Sequence, residues 1–399
     1  MIIRMKQEIK TSIYDTFHCI ADACPMTCCK GWAIKADGGI YEKWKTQEET
    51  AYLCEKVTYR REDSENIYYM KTHEDKTCVL LDEKGLCEIV KRHGDQCLSD
   101  TCANFPRKCN ELTDETEVLK EYSLSGACPA VMDLLWKRNR EEALIRLPEN
   151  SESSITFPME YKVRNALIVL LQRDDFSLTE KLLLGFSLLH ECLACEWEEE
   201  VYDCIEVYQD KENLSEMITL LYKTSYDKTE AFQELCQTFY DVSEFYKQED
   251  MYKPYLYQLA DYVEELFPQE EEEETKKKCD DVCHAWQSFK KDFATYDAFF
   301  TDVLMSEIFA DCVSDDLGFL TEAYQAIALE YIMTRLSVFL KKMIKNPMDN
   351  TTTDFETVKR YTSLYIRMIG HNTEGMAEYW EENFEDSVLE KEYFYMILI

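Results

Sequence analysis

The chain of 399 residues contains only ten glycines and eight prolines. Long helices avoid both residues, so this scarcity predicts a helical protein rather than one built on tight turns. No G-x-G occurs anywhere, which removes the glycine-rich loop of a Rossmann-type nucleotide site. P-loop, H-E-x-x-H and G-x-S-x-G patterns are missing too, as is the C-x3-C-x2-C run of radical enzymes. No apolar run reaches roughly 18 residues, so no transmembrane helix is expected. The opening MIIRMKQEIKTSIYDTF has no apolar h-region and no small-residue cleavage site, so it does not read as a secretory signal. Positive charge is also in short supply. Lys plus Arg number 44 against 79 Asp plus Glu, a net of −35. Nucleic acid and anionic membranes both require a positive footprint, so neither is expected as a partner. These absences describe a cytoplasmic protein, where thiols stay reduced.

Two things are plentiful, and they lie apart. Eleven of the 18 cysteines precede residue 130. Residues 1–130 carry 18 basic and 23 acidic side chains, a net of −5, and the remainder carries 26 and 56, a net of −30. Six of the ten glycines also fall before residue 130. The chain therefore divides into a Cys-rich, loop-rich head (residues 1–140) with short strands and an irregular, acidic, all-helical body (141–399). The fold class is mainly α. A turn near Leu147-Pro148-Glu149-Asn150-Ser151 marks the boundary. In the body, apolar residues recur at three- and four-residue spacing over 159–173 and 177–208. Further helices are predicted near 212–224, 229–247, 252–267, 276–293, 296–313, 319–345, 353–370 and 373–380, with Pro254, Pro268 and Pro347 near the breaks. Ser177 with Glu180 forms a capping-box pattern. The acidic run from Glu270 to Glu274, followed by lysines, reads as a solvated helix entry. The closing YFYMILI is too short for a bilayer and reads as a buried terminal segment.

The head carries the chemistry. Cys19, Cys24, Cys28 and Cys29 form C-x4-C-x3-C-C, and Gly31 lets the chain turn away at once. Cys78 and Cys87 flank a turn at Asp82 to Gly85, read as a short hairpin that brings two sulfurs together. Cys97 and Cys102 precede Phe105-Pro106-Arg107, and Cys128-Pro129 closes the region. Thiolates in this number suit zinc or an iron–sulfur cluster, and spacing alone does not choose between them. Cys54 and Cys109 stand outside the dense clusters and read as ordinary free cysteines. In the body, Cys192 and Cys195 with His190, and Cys279 and Cys283 with His284, share helix faces and read as buried helix cysteines.

The stretches FHCIADACPMTCCKGWAIKADGGIYEKW, CVLLDEKGLCEI, LSDTCANFPR and SLSGACP resemble, in that order, the flagellin lysine-N-methylase family. They are more distantly similar to small CxxCxxCC metal-chelating domains. The resemblance covers residues 14–136. It implies methylation of lysine side chains on flagellin, S-adenosylmethionine as methyl donor, and a [4Fe–4S] cluster held by Cys19, Cys24, Cys28, Cys29, Cys78, Cys87, Cys102 and Cys128. Where the family has Cys-Pro-Glu, this chain has Cys128-Pro129-Ala130. A lysine amine, with a pKa near ~10.4, attacks a methyl group only when neutral, so the reaction needs a proton acceptor. Asp37, beside the first cluster, is the candidate catalytic residue. Arg107 is a candidate clamp for the donor's carboxylate, and Trp32 a candidate stacking platform. Competing readings are a non-catalytic, metal-stabilised protein-binding module and a redox or metal-delivery protein.

Overall fold

The computed structural model describes residues 5–37, 39–62, 65–113, 117–148, 157–223, 226–246, 252–267, 273–345, 354–384 and 386–399. Gly38, the segment from Glu149 to Ser151, Pro268, the acidic residues Glu270 to Glu272 and Pro347 lie outside them.

The head is built from short pieces. Strands β1 (Met5–Lys10), β4 (Arg107–Thr113) and β5 (Glu117–Leu124) form one sheet in the order β1-β5-β4, with β5 central. β1 runs parallel to β5 and β4 antiparallel to it. Strands β2 (Val57–Glu62) and β3 (Glu65–Met70) pair as a separate antiparallel ribbon. Helices α1 (Ile40–Thr46), α2 (Glu88–His93) and α3 (Asp100–Asn104) are each two turns or less. A small apolar core holds them together, with Trp44 fully buried and its indole N–H donating to the Cys97 carbonyl at 3.0 Å. The segment from Cys78 to Cys87 is a tight loop rather than the expected strand pair, joined by one bridge between Leu81 and Cys87. Asp82 Oδ1 accepts from the amides of Lys84 and Leu86, so a side chain satisfies groups that a strand partner would otherwise take.

The rest is helical, as the periodicity predicts: α4 (Pro129–Lys137), α5 (Met159–Leu171), α6 (Leu178–Leu193), α7 (Glu198–Val207), α8 (Lys211–Leu221), α9 (Lys228–Phe245), α10 (Lys253–Leu266), α11 (Glu273–Phe293), α12 (Asp297–Asp311), α13 (Leu317–Lys345), α14 (Phe355–Tyr365), α15 (Thr373–Phe384) and α16 (Lys391–Leu398). Polar N-caps set several starts. The Ser177–Glu180 capping box opens α6, while Asp210, Asp227 and Asp354 accept from first-turn amides of α8, α9 and α14. α13 has 29 residues, about 43 Å at 1.5 Å per residue. It packs against α6, α10, α12 and α14 and is buried on nearly every side from Leu320 to Leu340, as a central helix must be, with polar Gln325, Glu330 and Arg335 among its buried residues. α16, from the closing apolar run, is buried against α6 and α9.

Two expected helices are divided. The stretch 177–208 breaks after α6, because Glu200 accepts from the amides of Glu196 and Trp197 and starts α7 afresh. The stretch 353–370 begins as α14 and finishes as a π-helical turn, Ile366–Gly370. π turns inside helices recur at functional positions.

Head and body share a core. Leu124, Ala127, Val131, Met132 and Leu135 belong to the large apolar cluster of the body, as do Phe17 and Met26 from the first cysteine loop. The join also contains a buried ion pair. The Arg164 guanidinium on α5 grips Glu121 on β5 through both oxygens at 2.6 and 2.7 Å, and the Tyr161 hydroxyl donates to the same carboxylate at 2.8 Å. Both charged side chains are essentially sealed from solvent.

Candidate functional site: a cysteine-lined cavity at the head–body junction

The first cysteine loop is pinned from below by buried Phe17 and Met26. Gly31, at φ +93°, reverses the chain immediately after Cys29. Trp32 folds back and donates its indole N–H to the Cys28 carbonyl at 2.6 Å. The Asp82 loop delivers Cys87. Ser99 caps α3 by accepting from the Cys102 amide at 3.3 Å, which fixes Cys102 in the first turn. Cys128 is the N-cap residue of α4, with Pro129 next to it; its sulfur makes no cap hydrogen bond, but the Ala130 and Val131 amides favour its thiolate.

These placements converge. Cys19, Cys24, Cys28, Cys29, Cys87, Cys102 and Cys128 line one cavity of about 480 Å³. Cys78 is buried close by and feels Cys28 and Cys87 electrostatically. Adjacent Cys28 and Cys29 serve the same cavity. Cys54, Cys97 and Cys109 do not line it.

Burial and neighbouring thiols resist ionisation in this cavity. Burial raises Cys102 to about 12 and Cys128 to about 11. The neighbouring Cys29 thiol, then burial, pushes Cys28 up as well. Opposing this, the Arg367 guanidinium favours the thiolates of Cys24 and Cys28, and backbone amides do the same for Cys78 and Cys128. Neighbouring amides that favour a thiolate are one means of tuning thiolates that hold a cluster. The donor set is dominated by soft sulfur and so fits a thiophilic metal group. The sulfurs are distributed around the cavity. Among the described residues no three His, Cys, Asp or Glu side chains form a ready site for a single metal ion.

The body reaches this cavity through its π turn. Arg367 donates to the carbonyls of Met26 at 2.7 Å, Thr27 at 2.9 Å and Ala127 at 2.9 Å, so one buried guanidinium clamps the loops of Cys24, Cys28 and Cys128 together. Beneath it lie buried acids. Glu307 on α12 accepts from the Gly126 amide at 2.7 Å, and burial raises it to about 8 although Lys108 pulls the other way. Glu330 on α13 is raised well above the ordinary carboxyl range by burial. Lys108 pairs with Asp311 at 2.6 Å.

The other sequence candidates fall around the cavity. Trp32 lines it, half-buried, against Phe105 and His371. Arg107 lines it too, lies over the Phe17 ring and donates to the Phe17 carbonyl at 3.4 Å. Arg107 forms no ion pair with the described part of the acidic body; its neighbour Lys108 does. Asp37 is outside the cavity. Its two oxygens accept from the Thr101 amide at 2.9 Å and the Thr101 hydroxyl at 2.7 Å, tying its loop to α3. Arg367 and His371 carried no motif. Their one sequence signal is Gly370, a rare glycine of the body lying between them.

The fold and site together define a mainly helical protein whose thiol-lined cavity is closed by a helical body. The model of the FliB lysine N-methylase C-terminal domain matches residues 164–397, more than half of the chain, and the chain belongs to this family. The match falls on the body, whereas the motifs of the resemblance lie in the head. No curated protein and no solved structure matches the chain.

Proposed function

We propose that the protein transfers methyl groups from S-adenosylmethionine to lysine side chains of flagellin, and that the cysteine cavity holds an iron–sulfur cluster. The observation that carries the catalytic reading is the family match over residues 164–397. Seven cysteines around one cavity, with an eighth beside them, support the cluster. A single zinc ion requires all its thiolates within about 2.3 Å. A cavity of about 480 Å³ ringed by sulfur suits a larger multi-iron group instead.

The cluster, when bound, would brace the loops and could offer an iron to a donor's carboxylate. The chain's own groups do the rest. Arg367 holds the three cysteine loops in register. Arg107, at the cavity wall without a carboxylate partner among the described residues, is placed to bind an anionic group of the donor. Trp32 offers an aromatic wall.

The test is incubation of anaerobically purified, iron-loaded protein with flagellin and S-adenosylmethionine, read by intact mass and peptide mapping. Methyl increments on lysine are the expected result. Unmodified flagellin from fully loaded protein would overturn the reading and favour a non-catalytic binding role. Iron, sulfide and zinc counts on the same sample decide the metal.

A further inference from the structure

Two further thiols meet in the body, away from the cysteine cavity. α6 ends at Leu193, so Cys195 falls in the link to α7 and not on the helix with Cys192. Cys204 lies on α7, one turn from buried Val201 on one side and from buried Tyr208 on the other. The Cys195 and Cys204 sulfurs stand 3.8 Å apart and share a hydrogen bond. Both residues are half-buried, and Cys195 sits between exposed Ala194 and Glu196, so small molecules reach the pair. Cys192, by contrast, is sealed in the core, and His190 is engaged by the Leu389 carbonyl at 3.1 Å.

A disulfide holds its sulfurs about 2.05 Å apart. Starting from 3.8 Å, each sulfur has to travel about 0.9 Å. Each is one bond from its Cβ, so side chains that meet at sulfur already point toward one another. Little holds Cys195 back. Its thiol makes only weak contacts, to the Glu191 carbonyl at 3.2 Å and to Cys204. We infer that Cys195 and Cys204 are a redox-active dithiol, separate from the cavity thiols, that closes to a disulfide by exchange with low-molecular-weight disulfides. The inference does not depend on the methylase reading.

Exchange runs in two steps. The Cys195 thiolate attacks one sulfur of the small disulfide. A mixed S–S bond forms, the old S–S bond breaks, and one small thiolate leaves with the electron pair. Cys204 then gives up its proton and attacks the Cys195 sulfur, which releases the second small thiolate. Two protein thiols are oxidised, one small disulfide is reduced, and the two thiol protons pass to the released thiolates. The order follows the surroundings. Burial and the hydrogen bond with Cys195 push Cys204 up to about 11, and Glu191 and Asp203 add to this. Cys204 is therefore slow to ionise and suits the second, intramolecular step. The closed bond ties the link to the middle of α7, across the break where Glu200 restarts the helix.

The test treats the full chain, purified and kept anaerobic, with 2-hydroxyethyl disulfide, a neutral probe. Remaining thiols are alkylated and the peptides mapped by mass. Cys195 and Cys204 should be recovered joined to each other and unalkylated, while iron content and visible spectrum stay unchanged. Cys204→Ser should hold the small thiol on Cys195 as a mixed disulfide. Cys195→Ser should leave Cys204 about tenfold slower to react than Cys195 is in the wild-type chain. Hydrogen exchange over α7 should slow in the joined form and recover on reduction. Cys195 joined to Cys192, a mixed disulfide that persists on wild-type Cys195, or an inert pair under conditions that consume exposed Cys109 would each overturn the dithiol. Loss of iron in step with closure overturns its separation from the cavity. A small thiol held by Cys204 in Cys195→Ser, with none held by Cys195 in Cys204→Ser, overturns the order of attack.

Discussion

Head and body solve different problems. The head has 11 cysteines before residue 130 and a small core, and its geometry depends on turns, caps and single bridges. The body has long amphipathic helices around α13 and most of the negative charge. Neither region makes the site alone. The head presents the thiols, and one turn of the body, Ile366–Gly370, reaches across so that Arg367 clamps their loops and lines their cavity. A family signature confined to residues 164–397 can therefore accompany chemistry whose most visible residues lie before it.

The sharpest way to separate the two regions is to disarm the head and leave the body standing. Cys28→Ser combined with Cys102→Ser should abolish most bound iron while far-UV circular dichroism keeps its helical signal. Full iron retention would exclude the cavity as the metal site. Next in size is the joint itself. Arg164→Met leaves the Glu121 carboxylate buried and unpaired, which costs about 3–5 kcal/mol. Denaturant melts should show that loss, and replacing both partners with apolar residues should restore much of it. Arg367→Met frees three carbonyls of the cysteine loops without touching a thiol. About 2–4 kcal/mol of stability should go, with iron occupancy falling alongside. If iron binding survived intact, the clamp would be structural only.

A smaller effect concerns the acids beneath the site. Glu307 faces Lys108, Asp311 and Glu330, and its folded pKa of about 8 stands above the ordinary 4.5. The folded state thus holds this proton more tightly than the unfolded state. Its contribution is full below about pH 4.5 and is lost as pH rises toward about 8. Glu307→Gln should flatten the pH dependence of stability across that window. The smallest change is expected at Ser177→Ala, about 1 kcal/mol for a lost cap in the body, with no change in iron.

Much of this arrangement was legible in the sequence. Helix periodicity, the Ser177–Glu180 box and the buried closing segment all depend on neighbours close in the chain, and such signals survive in one dimension. That the cysteines of separate stretches gather was also legible in their density, and seven of the eight line one cavity. Residues whose role comes from distant packing were not. Arg367 lies some 340 positions from the Met26 and Thr27 carbonyls and 240 from that of Ala127, and only the nearby Gly370 marks it. His371 has its pKa lowered by burial first and then by Lys108, which lies on β4, far away in the chain. The break between α6 and α7 was hidden because Glu200 reads as a helix former until its carboxylate is seen capping Trp197. Asp37 was found for its place beside the first cluster, yet its carboxylate is engaged by Thr101, 64 residues away.

The central claim is that lysine methylation takes place where the body closes over the thiols of the head. Methyl transfer to flagellin by wild-type protein and by the Cys28→Ser, Cys102→Ser variant, matched for helical content, tests it most directly. Wild-type protein should add methyl groups to lysines, and the variant should add none. Equal methylation by both would place the reaction outside the cavity and contradict the account.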